Sequence, residues 1–243
     1  MAKYCWILAF LFIHTHVFSQ TDTHAGWLAN FNTTRLGGKW SLHSDFQFRS
    51  TDGYAKWQSI LLRTGLNYHL NKRSIATIGY AYIPNRAGNA GLYKLMAEHR
   101  VWQQFIYNQP LKRTAGLQHR FRFEERWIPQ VLNNGNALEK NGDFFATRFR
   151  YFFRTIIPWK QQSAAFSHGF FNAVQNEIFL HTSGKEKLNG KTFDQNRMYL
   201  ALGYRLSPKL DLETGYLWQY TDRKNPAANV NNHVAQLAIY TRL

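Results

Sequence analysis

One cysteine, Cys5, occurs in 243 residues. It lies in an N-terminal stretch, residues 1–19, that reads as a signal peptide. Lys3 supplies a positive start, residues 6–12 an apolar core, and Val17-Phe18-Ser19 a cleavage site before Gln20. Cys5 is misplaced for lipid attachment, which needs a cysteine directly after the cleavage point. The exported chain would then carry no thiol, which excludes disulfides and cysteine nucleophiles. Long apolar runs are missing as well. Beyond residue 19 nothing approaches the roughly 18 consecutive apolar residues of a transmembrane helix. Acids are scarce: 14 Asp and Glu stand against 30 Lys and Arg, for a formal net charge of +16. That balance would suit nucleic acid, but the basic residues are dispersed instead of gathered in a tail or helix, and no nucleic-acid-binding motif is recognisable. Low-complexity tracts, a His-Glu-x-x-His spacing and a Gly-rich phosphate loop after a strand are all absent from the sequence. No metal, cofactor, catalytic residue or nucleic-acid partner is therefore expected.

What the chain does have is a two-residue rhythm. In residues 40–49 one face reads Trp40, Leu42, Ser44, Phe46, Phe48 and the other Ser41, His43, Asp45, Gln47, Arg49. Side chains alternate across a strand, so this segment is apolar on one side and polar on the other. The pattern recurs most clearly at 59–70, 117–127, 145–157, 195–206 and 210–220. It is weaker at 27–36, 74–83, 93–107 and 170–181, and a last strand is expected at 234–243. Segments of this length and alternation, behind an export signal, predict an all-β fold: an antiparallel transmembrane β-barrel of about 10 to 12 strands, filling residues 20–243 as a single domain in the outer membrane. A mean hydropathy of −0.45 is compatible, because barrel strands are only half apolar.

Eleven segments sit awkwardly with the even strand numbers of single-chain bacterial barrels. The expectation is ten, with 27–36 outside the wall, or twelve, with one strand unrecognised. Tight turns are expected at Gly37-Gly38, Asn71-Lys72, Asn108-Gln109-Pro110 and Ser207-Pro208. Longer loops are expected around Asp52 and at 84–91, 129–142, 183–191 and 222–232. Trp40, Tyr68, Tyr80, Tyr82, Tyr107, Trp127, Tyr204 and Trp218 fall near strand ends, where an amphipathic ring suits a lipid–water boundary.

Several passages carry a resemblance: residues 98–104 (EHRVWQQ), 118–126 (QHRFRFEER), 148–151 (RFRY), 176–180 (NEIFL) and, most specifically, 193–204 (FDQNRMYLALGY). Together they resemble a family of exported Bacteroidetes proteins catalogued as domain-of-unknown-function family 2490. The resemblance covers nearly all of the exported chain. It implies a barrel-like fold and an outer-membrane location, and brings no activity or catalytic residues.

The polar faces concentrate arginine. Arg120, Arg122 and Arg126 alternate on one strand, and Arg148, Arg150 and Arg154 on the next. Arg197 follows later, with Glu98 and Glu124 as the nearest acids. Inside a narrow barrel these groups must be hydrated or paired, because an isolated buried charge costs several kcal/mol. Two readings follow: a salt-bridge network that stiffens the barrel, or a basic porin-like lumen that binds or admits a small anionic solute. Six arginines on adjacent strands outnumber the two acids, so bound anions, ordered water or loop acids are expected to complete the network. The remaining alternatives are a barrel lipid hydrolase using His181, Ser183 and either Glu186 or Asp194, and a soluble exported β-sandwich for anionic glycans. Outer-membrane lipid is the expected surrounding.

Overall fold

The computed structural model describes residues 21–51, 54–88, 92–111, 116–160 and 166–243. The expected signal peptide and the loop residue Asp52 lie outside the described residues. Eleven strands follow one another: β1 (Thr21–Gly37), β2 (Trp40–Thr51), β3 (Lys56–His69), β4 (Ser74–Gly88), β5 (Tyr93–Gln109), β6 (Leu117–Asn133), β7 (Leu138–Pro158), β8 (Gly169–Ser183), β9 (Phe193–Ser207), β10 (Leu210–Thr221) and β11 (Val230–Arg242). Each pairs antiparallel with its chain neighbours, and β1 closes the barrel against β11 in parallel.

The count falls within the expected range of about 10 to 12 but is neither of the two even alternatives. In an up-and-down barrel, an odd number of strands makes the first and last run in the same direction, so closure requires one parallel pair. Segment 27–36 is not a stub outside the wall. It belongs to a 17-residue strand whose Thr21 pairs with Val230 and whose Thr33 pairs with Arg242. The even-number expectation fails because it assumes closure by an antiparallel pair.

A second correction concerns 129–142, expected as a loop. There β6 continues to Asn133 and β7 begins at Leu138, with a register shift between Pro129 and Val131. Proline cannot donate to the ladder and is tolerated at such an irregularity. The polar sequence is that of a hairpin extending beyond the rest of the wall.

The short connections β1–β2, β3–β4 and β9–β10 lie on one rim. Gly37 and Gly38 both take positive φ (+116° and +52°), which lets β1 reverse into β2 within two residues. Between β3 and β4, Asn71 Oδ1 accepts from the backbone N–H of Arg73 and Ser74 at 2.8 and 2.9 Å. Leu243 also lies at this turn end. Thr21 and the connections β8–β9 and β10–β11 lie at the opposite, loop end.

Outside, Leu28, Phe46, Leu62, Ile78, Phe105, Phe121, Leu200, Leu212 and Leu237 form an exposed apolar wall. Aromatic pairs sit toward its rims: Trp40 on Tyr68 (4.7 Å) at the turn end, and Trp127 on Phe145 (5.3 Å) toward the loop end. Inside, two apolar patches cover parts of the wall. One comprises Leu61, Ala81, Ile83 and Trp102; the other surrounds Trp27, Phe171, Tyr199 and Leu217. The Trp102 indole fits because β3 and β4 present glycine beneath it. A Cβ at Gly65 or Gly79 would lie 2.6 or 2.3 Å from the ring.

Candidate functional site

The same alternation that turns Leu200 outward turns Arg197 inward, and every candidate residue points into the lumen: Arg120, Arg122, Arg126, Arg148, Arg150, Arg154, Arg197, Glu98 and Glu124. Hairpin pairing of β6 with β7 sets Glu124 opposite Arg148 and Arg122 opposite Arg150. Closure of the barrel then supplies partners that lie far away in sequence.

Glu124 is the centre of a ladder of ion pairs. Its Oε2 accepts from Arg148 Nε and Nη2 at 3.0 and 2.6 Å, and its Oε1 from Arg150 Nη1 at 2.5 Å. Arg150 reaches on to Glu177 (2.7 Å), which also accepts from Arg120 at 2.7 Å. Arg148 reaches Asp194 at 2.7 Å. On the other side Glu98 accepts from Arg100 and Arg126, each Nε at 2.6 Å. Arg100 lies 3.7 Å from Glu124 and links the two halves. Five guanidiniums thus share four carboxylates, nearly balancing charge. Such pairs offset their desolvation only when the geometry is good and the remaining donors are used. Bidentate arginine forks meet that requirement.

Satellite pairs extend the pattern. Arg63 holds Asp45 (2.7 Å), Arg154 holds Glu213, and Arg205 and Arg242 share Asp211. The expectation that loop acids complete the network is corrected for the ladder. Glu177 and Asp194, which complete it, stand on β8 and β9.

Three inward strand arginines have no carboxylate within ion-pair distance among the described residues. Arg122 spends Nε and Nη2 on Gln104 Oε1 (3.0 and 2.5 Å) and lies 4.5 Å over Trp102, with buried Nη1 unpartnered. Arg49 donates to Gln47 at 2.6 Å and stacks 4.2 Å over Trp27, leaving Nε buried and unpartnered. Arg197 lies between Trp27 (5.2 Å) and Phe179 (4.7 Å), and its Nε too is buried without a partner. Glu177 stands directly across from Arg197 in the β8·β9 register, but its carboxylate holds Arg120 and Arg150.

All three line a cavity of about 860 Å³. It runs from Leu188 and Asn189 at the loop end to Asn108 and Arg242 at the turn end. At the loop-end mouth, Asn189 donates to the carbonyls of Phe193 and Asp222 (2.7 and 3.2 Å), and Lys191 pairs with Asp222 at 2.7 Å. The β8–β9 connection is thereby fastened to the β10–β11 connection. Arg49 was legible as a polar-face residue of β2 but was not among the candidates; the stacking on Trp27 that singles it out arises only when β1 pairs with β2.

The hydrolase arrangement needs His181 on the outer wall. The structure places it in the lumen, 4 % exposed, with Nε2 3.5 Å from Asp194 Oδ1. Ser183 Oγ instead meets Thr147 Oγ1 at 2.8 Å. Among the described residues, no three His, Cys, Asp or Glu side chains gather as a metal site.

Residues 24–231 match the family described as a protein of unknown function, DUF2490, and the chain belongs to that family. An uncharacterised protein of Methylorubrum extorquens is 24% identical over 213 residues, spanning 87% of this chain and 85% of the relative. No solved structure matches.

Proposed function

We propose that this protein is an integral outer-membrane β-barrel, without catalytic activity, whose basic lumen binds or admits a small anionic solute. One observation carries the reading. A long cavity is lined by inward arginines, of which Arg49, Arg122 and Arg197 have no carboxylate within ion-pair distance among the described residues. Uncompensated guanidiniums in a confined space attract anions strongly, because low-dielectric walls weaken screening. The membrane assignment rests on the apolar outer wall with aromatic rims, on closure without free strand edges, and on the export signal read from the sequence.

The ladder around Glu124 favours a second reading, in which the lumenal charges serve only to hold the wall together. Reconstitution separates the two. The exported protein should stay with the outer membrane after a carbonate wash and show anion-selective conductance or saturable anion binding in lipid. Recovery as a freely soluble protein would overturn the membrane assignment. Membrane insertion without any anion selectivity or binding would leave the structural reading.

A further inference from the structure

We infer that Arg49 and Arg197, on either side of Trp27 in the ring sense of the barrel, form a binding site for a phosphate-type oxyanion, free or carried on a phosphorylated solute. The inference rests on the proposed anion-holding lumen and names the ligand class and the residues. Both guanidiniums lie against the Trp27 indole, at 4.2 and 5.2 Å from its centre, and both line the cavity. Facing one ring and one cavity, the two are the pair assigned to a single multi-oxygen anion. Stacking fixes the guanidinium planes and, apart from the bond from Arg49 Nη2 to Gln47, leaves donors for a ligand, the geometry in which arginine recognises phosphate and carboxylate.

The charge argument selects the anion. Among the described residues the lumenal acids near these arginines are already engaged: Asp45 by Arg63 and His43, Glu177 by Arg120 and Arg150, Asp194 by Arg148 and His181. Two positive charges remain, each with an Nε–H that is buried and unpartnered. A halide has no oxygens to meet a planar fork. A monocarboxylate neutralises one charge and reaches one guanidinium well. A phosphate dianion carries two charges and enough oxygens to accept from both forks at once. The cationic mouth residues Lys187, Arg223 and Lys224, which also line the cavity, stand where an incoming anion would first be met.

The test uses the exported protein in detergent or lipid, with inorganic phosphate as the probe and chloride and acetate as comparisons, by titration calorimetry. Wild type should bind phosphate in preference to both. Arg49→Gln with Arg197→Gln should weaken phosphate binding roughly tenfold or more, while heat-modifiable gel mobility shows that the barrel has assembled. Arg197→Lys, which keeps the charge and loses the fork, should weaken phosphate more than chloride; it serves as the second readout if the double variant does not assemble. Unchanged phosphate affinity in an assembled double variant, or in Arg197→Lys, would overturn this site and leave the basic-lumen reading standing. Wild type that binds no anion at all would overturn both.

Discussion

Arg148 and Arg197 face the same lumen and lie over the same ring, Phe179, at 4.9 and 4.7 Å. Arg148 holds two carboxylates, Glu124 and Asp194; Arg197 holds none. What separates them most is the allocation of acids. Around Glu124 the barrel supplies almost one carboxylate per arginine, and the cluster is finished without a ligand. Around Trp27 it supplies aromatic faces in place of acids, and the charge left there is the one assigned to the proposed anion. An arginine-lined lumen is therefore two materials, a neutralised brace and an open charge. Inward orientation alone does not say which part a residue serves.

The largest break in this contrast should come from the brace. Glu124→Gln leaves Arg148 and Arg150 without their shared acid, and removing one partner of a buried pair costs about 3–5 kcal/mol. Urea unfolding from lipid, or the temperature at which heat-modifiable mobility is lost, measures it. Next is the wall that encloses both regions. Leu200→Arg, on the outer face, should impair assembly by about 2–4 kcal/mol if the position lies near the bilayer midplane. The same assay detects this, and wild-type behaviour of the variant would argue that Leu200 does not face lipid. A smaller effect tests the packing beneath Arg122. Gly79→Ala drives a Cβ into Trp102 and should cost about 1–3 kcal/mol, read in the same unfolding assay as a loss of stability with the barrel still formed.

How much of this was readable in the chain follows from what alternation can and cannot encode. A period of two marks which side of a strand Arg150 or Leu200 occupies, because that depends on residues one and two places away. The inward set and the place of each strand along the chain were visible for that reason, though β1, β4, β6 and β7 run well past their expected ends. Partners across the lumen were not, since Arg120 on β6 meets Glu177 on β8, two strands on, and Arg154 on β7 meets Glu213 on β10. Those contacts depend on strand number, tilt and closure. The odd count was hidden because nothing in residues 21–37 says whether the strand will meet its partner parallel or antiparallel. The extended hairpin between β6 and β7 was masked by Pro129, Gly135 and Gly142, residues that usually end strands and here sit at an irregularity, a hairpin tip and a positive-φ position.

The most direct test of the division within the lumen is the phosphate dependence of unfolding in wild type and in Arg197→Gln. A ligand that binds only the folded state stabilises it in proportion to RT ln(1 + [L]/Kd). Wild type should therefore gain stability as phosphate rises at constant ionic strength. Arg197→Gln, which removes an uncompensated charge and breaks no ion pair, should lose no more than its stacking contacts, about 0.5–2 kcal/mol, and gain little from phosphate. If Arg197→Gln is stabilised by phosphate as much as wild type, or loses as much stability as Glu124→Gln, the distinction between brace and open charge is wrong.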